Sequence, residues 1–184
     1  MALTLLAGCG SERRRAPDAT SPRPPAATVT ERYPAAGVRL EAPENWFRRA
    51  ENPPAVFIVA SGEVTVSGFA YRRVEPLPQA SVELAEARDR LEGEVRRRDP
   101  QYRLRSSGTL IVAGAPAIAL RGSQVIARRP LEVRSVHVYE GEVEYVFELL
   151  APPREFRGAD RRVFAPLLRS LALRGTIRGK SAGG

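Results

Sequence analysis

Few residues in this chain could do chemistry, and their spacing excludes most of it. There is one histidine, His137, and one cysteine, Cys9. A nucleophile–base pair would have to use His137, with Ser135 as its nucleophile, in the stretch Val133-Arg134-Ser135-Val136-His137-Val138-Tyr139. Alternation places this stretch on a strand, so Ser135 and His137 share a face at about 7 Å, too far for a direct hydrogen bond. The expectation is a strand histidine, packed or half exposed, and no catalytic residue. One His and one distant Cys supply no tetrahedral metal set, so no metal or cofactor is expected. Glu140, Glu142, Glu144 and Glu148 gather around one turn and one strand face. They could take a divalent cation or a basic partner, but an antiparallel sheet commonly shows such a face to water, and exposure is the expectation. Phe69 and Tyr71 share a face without the surrounding pattern of an RNA-binding strand. No GxGxxG, GxxxxGK[ST] or GxSxG motif occurs. These absences point away from an enzyme.

The elements that would position these residues are legible from hydrophobic period. Val38 to Ala42 alternates apolar and charged residues and ends at Pro43, with Trp46 and Phe47 in the following turn and Trp46 plugging the core. Ala55 to Ala60 is a continuous apolar run, read as a strand buried on both faces. Ser61-Gly62 turns the chain into a return strand from Val64 to Arg73, with Val64, Val66 and Gly68 on one side. Leu84, Ala87, Leu91 and Val95 then recur at helical spacing between Ser81, a predicted N-cap, and Arg98, with Pro100 beyond. Arg96, Arg97 and Arg98 suit the negative C-terminal end of that helix. Strands follow at 109–113, 117–126, 131–139 and 143–150, the last with Val143, Tyr145, Phe147 and Leu149 on one face. A closing helix is predicted from about Gly158, capped by Asp160 and kinked or split at Pro166. Its apolar face is Val163, Phe164, Leu167, Leu168 and Leu171. The sum is α+β: an antiparallel sheet of about six to seven strands covered by two main helices.

Charge argues against nucleic acid as a partner. The formal net charge of +8 comes almost wholly from arginine, since Lys180 is the only lysine, and half of the excess lies outside the predicted domain. Residues 31–174 mix both signs, with no directed basic stripe. No run of 18 apolar residues exists to span a bilayer. The domain is long enough to bury a core without a disulfide or metal staple.

Leu6-Ala7-Gly8-Cys9 resembles the lipobox of a bacterial lipoprotein signal: an apolar residue, two small residues, then a cysteine. The resemblance implies cleavage before Cys9 and attachment of a diacylglyceryl group to its sulfur. Only eight residues precede Cys9, without Lys or Arg, so the expectation is that Met1 falls inside the apolar stretch of a longer signal. Residues 1–9 are thus read as a signal remnant ending in the lipid-attachment cysteine. Residues 10–32 are a tether rich in Pro, Ser, Thr and Ala, residues 33–174 a globular domain, and residues 175–184 a disordered tail. In polyproline II form the tether would reach on the order of 60 Å. Arg13, Arg14 and Arg15 follow the anchor, where each could add about 1 kcal/mol of attraction to anionic headgroups; a solvated charge run is the alternative.

The order of elements resembles the PsbP-like α/β/α sandwich, which includes bacterial lipoproteins of the LpqN and DcrB types. The residues carrying the resemblance are Gly37-Val38-Arg39-Leu40-Glu41-Ala42-Pro43-Glu44-Asn45-Trp46, the turn Gly114-Ala115-Pro116-Ala117, and Phe164 to Leu173. It implies a non-catalytic binding or accessory module of the cell envelope, attached to the membrane through Cys9. Its partner would be an envelope protein or a small apolar ligand. The alternative is a soluble intracellular protein-binding domain of the same fold with an accidental Leu-Ala-Gly-Cys.

Overall fold

The computed structural model describes residues 20–177, so Leu6, Ala7, Gly8 and Cys9 lie outside the described residues. A seven-stranded antiparallel sheet organises the chain. It is built from β3 (Phe47–Ala50), β4 (Ala55–Ser61), β5 (Val64–Arg72), β6 (Arg103–Val112), β7 (Ala115–Ile126), β8 (Arg129–Glu140) and β9 (Val143–Ala151). Their spatial order is β3-β4-β5-β9-β8-β7-β6. A smaller sheet of β1 (Thr28–Tyr33), β2 (Val38–Pro43) and β10 (Ala172–Leu173) packs beside it.

One face of the large sheet carries the main core. Phe57, Val66, Phe147, Val136 and Tyr145 lie there, against β2 and the closing helical segment. Gly68 is on this face because the Phe57 ring crosses it: a Cβ at Gly68 would sit 2.3 Å from that ring. The closing segment is one rod of α2 (Pro153–Ala159), a π-helical turn (Asp160–Phe164) and α3 (Ala165–Ser170). Its start at Pro153 is several residues ahead of the expected one, and Asp160 sits inside the rod, where its carboxylate accepts from Arg134 Nη1 at 2.6 Å. The split expected at Pro166 is met by the wide turn just before it. Ala165 N donates to Asp160 O, five residues back, which opens the helix where a proline ring would otherwise strike the preceding turn.

The other face is covered by α1 (Ser81–Arg98) alone. Leu84 and Ala87 are buried against Ile118, Leu120 and Tyr139, with Leu91 and Val95 partly buried beside them. The N-cap is Ala80, and the expected role of Ser81 falls to Glu83, whose carboxylate accepts from Gln79 N at 2.9 Å and Ala80 N at 3.1 Å. The helix packs on β6 and β7, at one side of the sheet. The run Ala55 to Ala60 is therefore covered on one face only: Val56, Phe57 and Val59 are buried, and Ile58 and Ala60 are partly open.

The domain begins earlier than the sequence pattern suggests. Strand β1 starts at Thr28, and the segment before it is held by hydrogen bonds: Trp46 Nε1 donates to Arg23 O at 2.9 Å, and Asn45 Nδ2 to Pro24 O at 2.8 Å. These residues lack periodicity because they pair through backbone and polar groups, not through an apolar face. At the other end, Glu142 N donates to Gly175 O and Arg72 Nη2 to Ile177 O, so residues 175–177 pack on the β8–β9 turn instead of forming part of a loose tail.

Candidate functional site

Because α1 covers only part of its face, the rest of that face forms the floor of a cleft of about 650 Å³. The register lays its residues out in rows. Tyr71, Glu144 and Tyr139 lie side by side across β5, β9 and β8; Phe69, Val146 and His137 form the next row; Ser67, Glu148 and Ser135 the third. The roof and rims come from α1, the segment Glu75 to Pro78 and Tyr102. Tyr102 closes one end over Gly122, where a Cβ would stand 2.6 Å from the Tyr102 ring.

Glu144 is the hub of the floor. Its side chain is 7% exposed and accepts from Arg73 Nε at 2.6 Å, from Arg73 Nη2, and meets His137 Nδ1 at 2.7 Å. Burial alone would raise this carboxyl, but the hydrogen bonds and charges of His137 and Arg73 outweigh burial and hold it below the ordinary carboxylate range. Glu144 engages Nδ1, so Nε2 is the free ring nitrogen: it accepts a hydrogen bond when the imidazole is neutral and donates one when the ring is protonated. No described side chain meets that Nε2, and no buried polar side-chain atom among the described residues lacks a partner, so Nε2 opens to the cleft.

Glu148 lies diagonally across from His137 on the same floor. No described side chain hydrogen-bonds its carboxyl, so by the same argument it too opens to the cleft. Burial pushes its pKa up, and the nearby His137 only partly offsets this. Burial, with a smaller contribution from the Glu148 charge, pushes the Tyr102 phenol up to about 12. The glutamate face expected to meet water thus divides. Glu142 is exposed, whereas Glu144 is buried and Glu148 partly buried beneath the helix side of the sheet.

Ser135 and His137 do share a face, but Ser135 makes no hydrogen bond to the imidazole, so no nucleophile–base pair is assembled. Among the described residues no three His, Cys, Asp or Glu side chains come together as a metal set. Sequence reasoning missed Arg73, Tyr102 and Tyr139. The signal for Arg73 was present: Phe69, Tyr71 and Arg73 alternate along one chain, and the Arg73 guanidinium lies 5.7 Å from the Tyr71 ring centre.

A seven-stranded sheet between one helix and a helical rod with its small sheet is an α/β/α sandwich, here with a cleft of ligand size on the single-helix side. Solved structures of the PsbP-like kind share this architecture. The chain is similar to cyanobacterial PsbP from Synechocystis sp. PCC 6803, with a TM-score of 0.61 and 12% identity over 92% of this chain and 99% of that one. It is similar to LpqN, involved in cell envelope biogenesis of Mycobacterium tuberculosis, with a TM-score of 0.53 and 14% identity over 80% of this chain and 90% of that one. It is also similar to PA94 of Pseudomonas aeruginosa, described as a putative regulator of unknown function, with a TM-score of 0.51 and 18% identity over 82% and 100% of the two chains. No protein-family model matches the chain, and no curated protein sequence matches it. At these identities the likeness is one of fold.

Proposed function

We propose that this protein is a lipid-anchored, extracytoplasmic binding or accessory module of the bacterial envelope, and that its ligand site is the cleft under α1. The observation that carries the binding reading is the pair of polar groups without a protein partner, His137 Nε2 and the Glu148 carboxyl, opening into a space of about 650 Å³. Volumes of about 300–1,000 Å³ suit small ligands. Support for a non-catalytic role comes from the missing contact between Ser135 and His137. Support for the location comes from Leu6-Ala7-Gly8-Cys9 and from the fold shared with LpqN.

Thr20 O accepts from Glu63 N at 2.9 Å, so the leash would end at Thr20. From Cys9 to Thr20 the chain can extend about 40 Å at most, against the longer reach expected of a tether running to residue 32. An anchored domain would stay within about one of its own diameters of the bilayer surface.

Detergent phase partition of the full-length protein made in a bacterial host, with the mass of its N-terminal peptide, tests the anchor. The native protein is expected in the detergent phase with a diacylglyceryl-modified Cys9, and Cys9→Ser in the aqueous phase. An unmodified Cys9 on protein recovered from the cytosol overturns the anchor and favours the soluble reading. The cleft is tested separately, by whether any small aromatic probe saturably shifts the backbone amides of Val146, His137 and Phe69.

A further inference from the structure

If the cleft is the ligand site proposed above, its chemistry is narrower than its volume. The protein as a whole is strongly basic, at +8. The cleft reverses that sign. Its carboxylates are Glu75, Glu94, Asp99, Glu144 and Glu148, against the guanidiniums of Arg73, Arg90 and Arg98. Arg73 and Glu144 cancel as a pair, which leaves Glu75, Glu94, Asp99 and Glu148 against Arg98 and against Arg90, which sits at the exposed rim within 3.9 Å of Glu86. A negative recess with low-dielectric walls concentrates cations even on a basic protein.

The floor agrees with the field. The Glu148 carboxyl has no protein partner, and the free Nε2 of His137 stands beside it, with Nδ1 held by Glu144. A ligand that satisfies Glu148 must bring a donor, and an anion would be repelled there. Apolar surface flanks them. Phe69 and Tyr71 stack at 6.4 Å between ring centres on the β5 side, Val146 lies between, and Leu91 and Val95 face them from α1. On the same face of β9, Val146 and Leu150 are apolar on either side of Glu148, so an unpaired carboxyl stands where packing alone would favour a third apolar side chain.

We propose that the cleft binds an organic ammonium cation, its charged donor group on the Glu148 carboxyl and its apolar body along Phe69, Tyr71 and Val146. It adds a charged group to the small apolar ligand that, with an envelope protein, was the partner expected from the sequence. The apolar walls select a body of aromatic or short aliphatic character, and the Glu148 acceptor selects a primary amine over a quaternary one, which has no proton to donate.

The test is a titration of the full chain with three matched probes, 2-phenylethylamine, 2-phenylethanol and phenylacetate, followed by amide shifts. The expected result is saturable binding of the amine at Val146, His137 and Phe69, tighter than the alcohol, with no binding of the carboxylate. In Glu148→Gln the amine affinity should fall at least about tenfold, since a charge-assisted bond becomes a neutral one, while any alcohol affinity is unchanged. Thermal denaturation of Glu148→Gln checks that the variant is folded. Alcohol or carboxylate binding as tight as the amine, or an amine affinity untouched by Glu148→Gln, overturns the cation assignment and leaves the cleft a binding site. Failure of all three probes to shift these amides overturns both.

Discussion

Replacing Glu144 by Gln keeps the shape of the side chain and removes its charge, so it asks how much the polar floor contributes to the fold. The native carboxylate accepts from Arg73 at 2.6 Å and from His137 at 2.7 Å while only 7% exposed. A glutamine has one acceptor oxygen, which can keep Arg73, while its amide N–H can reach His137 Nδ1 only if the imidazole moves its proton to Nε2. Both contacts then lose the carboxylate charge. A charge-assisted hydrogen bond contributes about 1.5–3 kcal/mol and a neutral one about 0.5–1.5. The Arg73 share must be discounted, because its side chain is 46% exposed and water can resolvate it. The net cost is then about 2 kcal/mol, or a fall in Tm of roughly 4–8 °C for a domain of this size. The pH dependence has a definite sign. Because the Glu144 pKa is lowered on folding, its contribution is complete above the ordinary carboxylate range and lost as pH falls through the lowered value. Thermal denaturation followed by circular dichroism should show the full gap between native and variant proteins at pH 7, narrowing below about pH 4. An equal Tm at pH 7, or a gap of constant size across that range, would refute the network as a source of stability.

Glu148→Gln should act in the opposite direction: the raised carboxyl pKa means that stability is lost as pH rises past the ordinary carboxylate range, so the glutamine variant gains about 1 kcal/mol at pH 7 and nothing at pH 4, measured by urea denaturation at both. Gly68→Ala places a methyl group 2.3 Å from the Phe57 ring and should lower the urea midpoint by the equivalent of about 1–3 kcal/mol, whereas Gly108→Ala, with open space at its Cβ, should cost far less. Asn45→Ala removes the contacts to Ala26 N and Pro24 O, and limited proteolysis should then cut within residues 20–27 sooner while Tm changes by under about 3 °C.

The large sheet was readable because its strands follow period two so plainly. Val143, Tyr145, Phe147 and Leu149 could face only a core, and all are buried. The same alternation misled for the opposite face. Glu144 and Glu148 read as water-facing because a strand shows which residues share a side, not whether a helix from elsewhere in the chain lies over that side. Partners distant along the chain decide the matter: Arg73 is 71 residues from Glu144. Strand β3 was hidden for another reason. Phe47-Arg48-Arg49-Ala50 has no alternation, and it is held by pairing with β4, with Phe47 57% exposed and the Arg49 guanidinium 5.9 Å from its ring centre.

Only Leu84 and Ala87 of the whole α1 helix are buried, and the apolar cluster they join is separate from the main core on the far side of the sheet. A helix held by so small a patch forms a weaker cooperative unit than the sheet beneath it, and its amides should exchange with solvent deuterium well before those of β8 and β9. Such partial release would lift the roof without unfolding the floor, giving a molecule larger than the resting aperture a way in.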